Sequence, residues 1–399
     1  MESEPSRFEN FLSETLADIE SRGLLRTLRH VESPQDTTLV CGGKTLANFS
    51  SNDYLGLANH PALLEAARDE LAVGGFGAGA SRLVCGNLSA HERLETSIAR
   101  FKRVGAALTF SSGYAAALGT IPAICGKGDV LILDKLCHAC MVDAARLSGA
   151  HVRVFPHNDT EKLDSHLAWA NREHPGARVL VLAESIYSMD GDAAPLRKIV
   201  DLKDRYGAWL FLDEAHGVGV LGENGRGLAD SLGLAGRIEI QMGTLGKALG
   251  AHGAYIAGSQ TLRSFLINCA RSFIYTTAPP TPVAAAAARA IEILESPEGA
   301  KRVSTLRKNI DRLGSALGLA RPASAIIPLI IGTETDALDA SRQLFDAGFL
   351  VPAIRYPVVA KGTARLRITL SANHHPEQID ALARQIAHSG LATSAPGSI

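Results

Sequence analysis

Apolar residues follow two patterns along this 399-residue chain. Some stretches place them at helical spacing, and others are short continuous apolar runs with the length of a buried strand. From residue 61 onward the two patterns alternate. They predict helices at 62–72, 90–101 and 141–150, and strands at 106–110, 129–134, 151–155, 178–184, 208–214 and 238–243. This alternation predicts an α/β fold with a mostly parallel central sheet and helices on both of its faces.

The two ends of the chain have other patterns. Helical spacing over 8–29 predicts a helix, and two short strand-like runs, 37–40 and 45–49, follow with a turn between them. Beyond residue 279 come long helical patterns and then shorter apolar segments at 325–332, 349–354 and 364–372, with a helix near 336–348. We therefore expect an N-terminal helix and hairpin segment (1–50), a large α/β domain (51–285) and a smaller C-terminal α+β domain (286–399). The last residues, 393–399, are expected to be disordered.

Composition excludes several classes of partner. Lys+Arg 40 against Asp+Glu 41 leaves a formal charge of −1 without a basic stripe, so we expect no nucleic-acid partner. The first residues lack the pattern of a secretory signal, and no apolar run reaches the roughly 18 residues of a membrane span. These features predict a soluble cytoplasmic protein. Its six cysteines are too scattered for a disulfide framework and are expected to be reduced thiols.

One glycine-rich run, 242–255, is too rich in glycine for a good helix and too irregular for a strand, and it carries one lysine, Lys247. A lysine among glycines is compatible with a solvated loop. It is also compatible with an amine that does covalent chemistry beside a phosphate-bearing cofactor, with glycines that give the cofactor access to the backbone. The position alone leaves both interpretations open.

Polar residues collect after the predicted strands. In open parallel sheets, ligands bind outside the carboxyl ends of the strands. The segments at these ends are 111–114, 134–140, 184–192, 213–222 and 243–250. Together they supply an aspartate, two histidines, three hydroxyl groups, a small-residue turn and an amine: Asp213, His138, His216, Ser111, Ser188, Thr244, Ser112, Gly113, Tyr114 and Lys247.

This combination matches the needs of pyridoxal 5'-phosphate (PLP). The cofactor needs a lysine for its Schiff base and a carboxylate that keeps its ring nitrogen protonated, which Lys247 and Asp213 would provide. A helix that begins near Ser112 would bind the phosphate through backbone N–H groups.

Other motifs are weaker. Gly217, Gly219 and Gly222 form a G-x-G-x-x-G with Glu239 downstream, which leaves an NAD-dependent oxidoreductase as an alternative. A polar tetrad separates these glycines from the strand, and the following residues do not resemble the start of a helix. A P-loop is excluded because Ala248 follows Lys247.

Two further motifs could suggest metal or redox chemistry. Cys137 and Cys140 form one C-x-x-C without a second pair, so we expect packing thiols. His374 and His375 indicate a surface turn or the start of a helix. We predict no metal site.

Four motifs, SMDGD, DEAHGVGVLGENGRG, GTLGKALG and TARLRITLSA, resemble the α-oxoamine synthases. These are PLP enzymes with the aspartate-aminotransferase-like fold (fold type I), and the resemblance runs from about residue 49 to the C-terminal helix. The motifs SRLVCGN, FPHND and VPAIR are most similar to the branch that condenses L-alanine with a pimeloyl thioester of CoA or a carrier protein in biotin biosynthesis. Members that transfer acetyl from CoA to glycine, or that use another acyl-CoA, are the alternatives.

The resemblance implies roles around the cofactor. Lys247 would form the Schiff base and then act as general base on the alanine α-carbon, while Asp213 pairs with the ring nitrogen. His138 would stack on the ring, and Ser188 and His216 would bond its phenolic oxygen. The phosphate would be held by residues of two subunits of a homodimer: Ser112, Gly113, Tyr114 and Thr244 of one, and Thr276 and Thr277 of the other.

The resemblance also implies substrate contacts. Arg367 is the expected clamp for the amino-acid carboxylate, with Arg355 as a second candidate. Arg26 and Asn52 are expected near the acyl substrate, and so is Val358, which stands where the family has a hydroxyl-bearing residue.

The chain departs from the family pattern at three further positions. Cys137, Cys140 and Tyr356 replace an asparagine, a serine and a proline. Tyr356 and Val358 bear on the acyl chain, and none of these changes removes a residue that PLP needs. An inactive relative that serves as a binding or regulatory module is disfavoured because Lys247, Asp213, His216 and Arg367 are all present.

Overall fold

The structure, a computed structural model, describes residues 6–391. The segment 393–399, expected to be disordered, lies outside the described residues. The strands are β1 Thr38–Cys41, β2 Lys44–Asn48, β3 Ala106–Phe110, β4 Val130–Asp134, β5 His151–Phe155, β6 Val179–Glu184, β7 Trp209–Asp213, β8 Ile240–Thr244, β9 Ala254–Gly258, β10 Ile326–Gly332, β11 Phe349–Leu350, β12 Ala353–Ile354 and β13 Ala364–Thr369. The α-helices are α1 Arg7–Ser21, α2 Pro61–Gly74, α3 Ser89–Lys102, α4 Gly113–Ile124, α5 Ala139–Ser148, α6 Thr160–Glu173, α7 Leu196–Arg205, α8 Leu228–Ser231, α9 Gln260–Cys269, α10 Arg271–Ile274, α11 Thr281–Leu294, α12 Pro297–Ala316, α13 Glu334–Asp346 and α14 Pro376–His388.

The central sheet has seven strands in the order β3-β9-β8-β7-β6-β4-β5. All neighbours pair in parallel except β9, which is antiparallel to both β3 and β8. The mostly parallel sheet predicted from the sequence is confirmed. The six predicted strands lie within one or two residues of their observed bounds. The sequence pattern does not predict strand β9, because its first residues, Ala254 and Tyr255, belong to the irregular glycine-rich run.

Helices cover both faces of the sheet, as predicted. Alternate residues of β4 point to opposite sides: Leu131 and Leu133 join a cluster with α4 and α5, whereas Val130 and Ile132 join a cluster with α6 and α7. Strands buried on both faces explain why the sequence shows continuous apolar runs instead of strict alternation.

The N-terminal segment confirms the hairpin but shortens the helix. Strands β1 and β2 pair antiparallel, and β11 from the C-terminal part adds to β2 in parallel. Helix α1 ends at Ser21 instead of residue 29, and Gly23 then adopts a left-handed conformation with φ of 64°. Within the described part of this chain none of the residues of α1 is buried, and Phe8, Phe11 and Leu16 on it are largely exposed.

In the C-terminal part, β10, β13 and β12 form a second, antiparallel sheet with α12, α13 and α14 around it. The apolar segment 349–354 divides into β11 and β12, which join different sheets. The expected domain boundary at residue 286 falls inside α11, and the division into three regions stays a prediction. Among the helices of residues 6–391, none has the length and apolar character required to cross a bilayer.

Candidate active site

Lys247 lies at the carboxyl-terminal edge of the sheet, in a turn that follows β8. Its amine Nζ is 2.9 Å from Nε2 of His216, which comes from the turn after β7. The neighbouring glycines Gly243 and Gly250 have a packing role that the sequence does not show. A Cβ at Gly243 would lie 2.3 Å from the Tyr255 ring, and one at Gly250 would lie 2.4 Å from the backbone of residues 57–58. These glycines therefore allow close packing within the chain.

Asp213 ends β7 and is buried, and its Oδ1 accepts a hydrogen bond of 2.8 Å from the Ala215 N–H. Glu184, at the end of β6, pairs with it in register and is also buried. Burial raises the pKa of Asp213, opposed by the nearby charge of Lys247. Burial and the charge of Asp213 raise the pKa of Glu184 well above its ordinary value. The edge therefore holds two carboxyl groups beside one amine.

His138 begins α5 as its N-terminal cap. Its backbone N–H donates to Oε1 of Glu184 at 2.6 Å, and its ring Nδ1 accepts from the Cys140 N–H at 3.2 Å. Burial lowers the pKa of His138. Cys137 and Cys140 are free and buried, which confirms their interpretation as packing thiols. The Sγ of Cys140 lies 3.1 Å from Nδ1 of His138 and so helps to hold the ring.

The start of α4 faces the end of β8. Ser112 caps α4 by accepting a 3.1 Å bond from the Ala115 N–H, and a Cβ at Gly113 would lie 3.1 Å from Cγ2 of Thr244. Within residues 6–391, the buried Oγ1 of Thr244 has no hydrogen-bond partner. The hydroxyl of Tyr114 bonds Oδ2 of Asp143 at 2.5 Å. A helix N-terminus opposite an unpartnered hydroxyl suits a phosphate group, so this part of the site fits PLP.

Arg367 is buried on β13 and joins the C-terminal part to the sheet edge. Its Nε donates to the Ser188 carbonyl at 2.6 Å, and both terminal nitrogens lie 3.2 Å from Oδ1 of Asn52. The same Asn52 oxygen accepts a 3.1 Å bond from the Tyr54 hydroxyl, which is 2.7 Å from Nδ1 of His216. One hydrogen-bonded chain therefore connects the amine of Lys247 to the guanidinium of Arg367.

A cavity of about 760 Å³ opens beside this chain of contacts. Its wall includes His138, Ser188, Arg26 and Val358, four residues that the sequence assigned to cofactor or substrate. Two acidic and three further basic side chains also line it: Asp143, Asp190, Lys135, Arg146 and Arg365.

Three predicted residues lie elsewhere. Arg355 donates to the backbone carbonyls of Gly23 and, at 3.1 Å, Leu25, so it anchors the segment that carries Arg26 and is absent from the cavity wall. The Thr276 hydroxyl donates to the Thr277 carbonyl at 3.4 Å, and neither residue is hydrogen-bonded to Lys247 within the described chain.

Sequence reasoning missed three residues of the site. Glu184 ends a predicted strand just as Asp213 does, and this position in the sequence indicates a site residue. Arg365 lies two residues before Arg367 on β13 and bonds Asp190 at 2.5 Å. Tyr54 belongs to a loop, and nothing in the local pattern indicates that its hydroxyl is buried.

Burial sets the charge of the central groups. The pKa of Lys247 is lowered, mainly by burial and also by the charge of Arg367, although Asp213 and Glu184 oppose this change. The pKa of His216 falls well below its ordinary value because the ring is buried near Lys247 and Arg367. The site therefore favours a neutral imidazole and an amine that loses its proton readily.

The competing motifs do not form sites. After Gly222 come a single 3₁₀ turn and the four-residue α8, and Glu239 is bonded to Lys203 at 2.6 Å and to the Leu210 N–H at 2.8 Å. The dinucleotide alternative is therefore wrong. His375 caps α14, whereas the adjacent His374 is buried and stacks on Phe49 instead of lying in a surface turn. Across residues 6–391, the acidic, His and Cys side chains form no cluster suited to a metal ion.

Comparison with known proteins agrees with this geometry. Residues 44–386 match the family described as aminotransferase class I and II. An 8-amino-7-oxononanoate synthase of Methylococcus capsulatus is 48% identical over 93% of this chain and 96% of its own length. The fold is similar to a serine palmitoyltransferase of S. paucimobilis solved with a bound PLP-myriocin aldimine, with a TM-score of 0.89, 29% identity and coverage of 97% and 98%. It is also similar to an 8-amino-7-oxononanoate synthase from Francisella tularensis, with a TM-score of 0.72, 26% identity and coverage of 86% and 99%.

Proposed function

The chain belongs to the class I and II aminotransferase family and, within it, to the 8-amino-7-oxononanoate synthases, and from this premise we propose how its residues carry out the reaction. It is a PLP-dependent acyltransferase that condenses L-alanine with a pimeloyl thioester and releases CO₂ and a thiol in biotin biosynthesis. The observation that carries the residue assignment is the unbroken hydrogen-bonded chain from Lys247 through His216 to Arg367.

We assign the cofactor contacts from the groups that the site leaves available. The unpartnered hydroxyl of Thr244 and the N-terminus of α4 would hold the phosphate, and Asp213 would face the ring nitrogen. Lys247 would hold the cofactor covalently, with His138 and His216 against its ring. When bound, PLP withdraws electrons from the α-carbon of the amino acid.

Lys247 is the proposed general base. Its lowered pKa favours the neutral amine that a base needs, and neutral His216 holds that amine at 2.9 Å as a hydrogen-bond acceptor. The proton of the L-alanine α-carbon would pass to Nζ of Lys247.

Arg367 is the proposed anchor for the alanine carboxylate. Its planar guanidinium suits a bidentate contact, and the Ser188 carbonyl fixes it through Nε. Asn52 contacts the same guanidinium, so we assign it to the amino-acid end of the site instead of the acyl end expected from the sequence. Arg355 is no longer a candidate for this contact because it binds residues 23–25.

The cavity is the proposed acyl site. Asp143 lies 3.7 Å from Arg146, and Asp190 lies 2.5 Å from Arg365, whereas Arg26 and Lys135 form no ion pair in residues 6–391. The pimeloyl thioester carries anionic groups that these two cations would attract: the distal carboxylate, and the phosphates of CoA or of a carrier protein's phosphopantetheine. Val358 is 52% exposed in the wall and supplies an apolar contact for the methylene chain.

A homodimer is the proposed functional unit. The amide of Ala278 donates to the Ala80 carbonyl at 3.0 Å, which places segment 275–277 beside segment 76–84. Both segments expose large apolar side chains, including Phe76, Val84 and Tyr275. A second copy that covers this surface could bring Thr276 and Thr277 to the phosphate. The cytoplasmic location stays a prediction from the sequence.

The decisive experiment is thiol release from purified, PLP-loaded protein. L-alanine with pimeloyl-CoA is compared with glycine plus acetyl-CoA and L-serine plus palmitoyl-CoA, and pimeloyl carrier protein is tested as the other donor. Fast release with the alanine and pimeloyl pair alone supports the proposal. A preference for another pair of amino acid and acyl-CoA would mean that the same residues carry out a related condensation with those substrates.

A further inference from the structure

Tyr54 is a buried phenol between two parts of the site. Its side chain is 0% exposed, and its hydroxyl lies 2.7 Å from Nδ1 of His216 and 3.1 Å from Oδ1 of Asn52. His216 in turn contacts Lys247, and Asn52 contacts Arg367. The hydroxyl is therefore the middle member of the chain that joins the amine to the guanidinium.

The direction of these hydrogen bonds follows from what each group can do. The Asn52 oxygen only accepts, and it faces both terminal nitrogens of Arg367. When the Tyr54 hydroxyl donates to Asn52, Nδ1 of His216 must carry the ring proton and donate to Tyr54. The lone pair on Nε2 is then free to accept from the Lys247 amine at 2.9 Å.

A rotation of the hydroxyl supports the opposite arrangement. If Tyr54 donates to Nδ1, the ring proton of neutral His216 lies on Nε2, which becomes a donor. Such a donor suits an acceptor like the ring oxygen of PLP, the partner that the family resemblance gives to His216. Asn52 keeps its bonds from Arg367 in this arrangement, so no buried acceptor is left without a donor.

Both groups are held in their uncharged forms. Burial lowers the pKa of His216 well below its ordinary value and raises the pKa of Tyr54. Nε2 therefore changes from hydrogen-bond acceptor to donor when the ring changes its tautomer, and the ring stays uncharged.

We propose that Tyr54 is a positioning residue that allows neutral His216 to change between accepting and donating at Nε2. This inference rests on the proposed function, because the two successive partners of His216 are the Lys247 amine and the ring oxygen of PLP. Arg367 acts on the same hydroxyl directly and through Asn52. The anchoring of the substrate carboxylate is therefore connected to the tautomer of His216.

The test is Tyr54→Phe, with Tyr255→Phe as the matched control. Tyr255 is also buried, and its hydroxyl has no hydrogen-bond partner in residues 6–391. Each variant removes one hydroxyl from a buried ring. For Tyr54→Phe we expect kcat to fall roughly ten- to a hundred-fold, as is typical for loss of a residue that orients a reacting group. KM for L-alanine should change less than kcat, because Arg367 keeps its bonds to Ser188 and Asn52 and loses only its contact with the Tyr54 hydroxyl. Tyr255→Phe should keep the wild-type kcat.

The second readout is the pH titration of the cofactor's visible absorbance. We expect its midpoint to move in Tyr54→Phe and to stay in place in Tyr255→Phe. Replacement of Tyr54 by 3-fluorotyrosine, which keeps the ring and hydroxyl but acidifies the phenol, should move the midpoint even if Tyr54→Phe fails to fold. A wild-type midpoint in both proteins changed at Tyr54 overturns the proposal. Failure of the wild-type protein to release thiol would overturn the proposed function instead, while the absorbance titration still reports on Tyr54.

Discussion

Glu184 and Asp213 end neighbouring parallel strands and pair in register, which places two buried carboxyl groups side by side. Two carboxyl groups this close and shielded from water cannot both ionise readily. The pKa of Glu184 is raised by burial and then by the charge of Asp213, whereas the largest effect that opposes burial at Asp213 is the charge of Lys247. We infer that a proton shared by this pair favours Glu184, which leaves Asp213 with the charge needed by the ring nitrogen.

This assignment predicts different effects for two substitutions of Glu184. Glu184→Gln resembles the protonated acid and keeps an oxygen for the His138 N–H, so kcat should stay within about three-fold of wild type. Glu184→Ala removes the acceptor of that N–H from a buried position, which costs about 1 to 3 kcal/mol. The measurements are kcat and the free energy of unfolding. A large loss of kcat in Glu184→Gln with an unchanged fold would mean that the ionised carboxylate is required.

The position of Asp213 and Lys247 at one edge could be predicted because buried parallel strands are recognisable from their apolar runs, and their carboxyl ends must meet. Glu184 satisfies the same rule, since it is the last residue of β6, but the apolar pattern does not show that its carboxyl group is buried beside Asp213. Tyr54 could not be predicted, since its role depends on a long-range contact to His216 and on the contact that Arg367 makes with the neighbouring Asn52.

The contacts of other residues also depend on parts of the chain that are distant in sequence. Arg355 carries no local signal that its guanidinium binds residues 23–25. The sequence also does not show that Tyr255 and residues 57–58 pack against glycines on either side of Lys247, and the role of these glycines toward the cofactor stays a prediction. The roles of Thr276 and Thr277 in a second subunit stay predictions.

Lys247→Ala should abolish the chemistry and change the spectrum. Loss of the amine removes both the covalent attachment and the general base, so thiol release should fall by about 10²- to 10⁴-fold or more. The yellow colour of the lysine-bound cofactor should disappear. Lys301→Ala, an exposed lysine of α12, is the control and should keep both properties. A colourless wild-type protein that does not respond to added PLP would contradict the assignment.

Thr244→Val should weaken the binding of PLP without making the cofactor-free protein less stable. The Thr244 hydroxyl is buried without a partner, so its removal from the cofactor-free protein should leave the free energy of unfolding unchanged or raise it by about 1 kcal/mol. If this hydroxyl binds the phosphate, the Kd for PLP should rise roughly ten-fold or more, the value of a charge-assisted hydrogen bond.

Thr120→Val is the matched control for this prediction. Thr120 lies within α4 and also has a buried hydroxyl without a partner in residues 6–391. Its substitution should leave the Kd for PLP at the wild-type value. Equal affinities in the two variants, measured by equilibrium titration of the cofactor, would remove Thr244 from the phosphate site.

Lys135→Ala should weaken binding of the acyl donor while the chemical step is kept. Lys135 follows β4 at the cavity, and Lys127 precedes the same strand at its other end, so Lys127→Ala is the control. We expect KM for pimeloyl-CoA to rise roughly three- to ten-fold in Lys135→Ala, the effect of one partly screened ionic contact, with kcat unchanged.

The same variant identifies the anion that Lys135 contacts. Heptanoyl-CoA lacks the distal carboxylate but keeps every phosphate. If the rise in KM persists with heptanoyl-CoA, Lys135 contacts phosphate; if it disappears, Lys135 contacts the carboxylate. An unchanged KM for both donors would exclude Lys135 from the acyl site.

His157 should make stability depend on pH. Its ring lies between Asp134, at 3.0 Å, and Asp192, at 2.8 Å, and these carboxylates raise its pKa to about 10 despite burial of the ring. Because the folded pKa exceeds the ordinary value of about 6.5, the contribution of the charged ring is complete below pH 6.5. It declines as pH rises and is lost at about pH 10. We therefore expect His157→Gln to be less stable than wild type by a few kcal/mol near pH 6 and by progressively less toward pH 10. Urea unfolding at several pH values measures this difference, and the exposed His30, changed to Gln, provides the baseline. A difference that stays constant across this pH range would show that His157 stabilises the loop through packing and neutral hydrogen bonds alone.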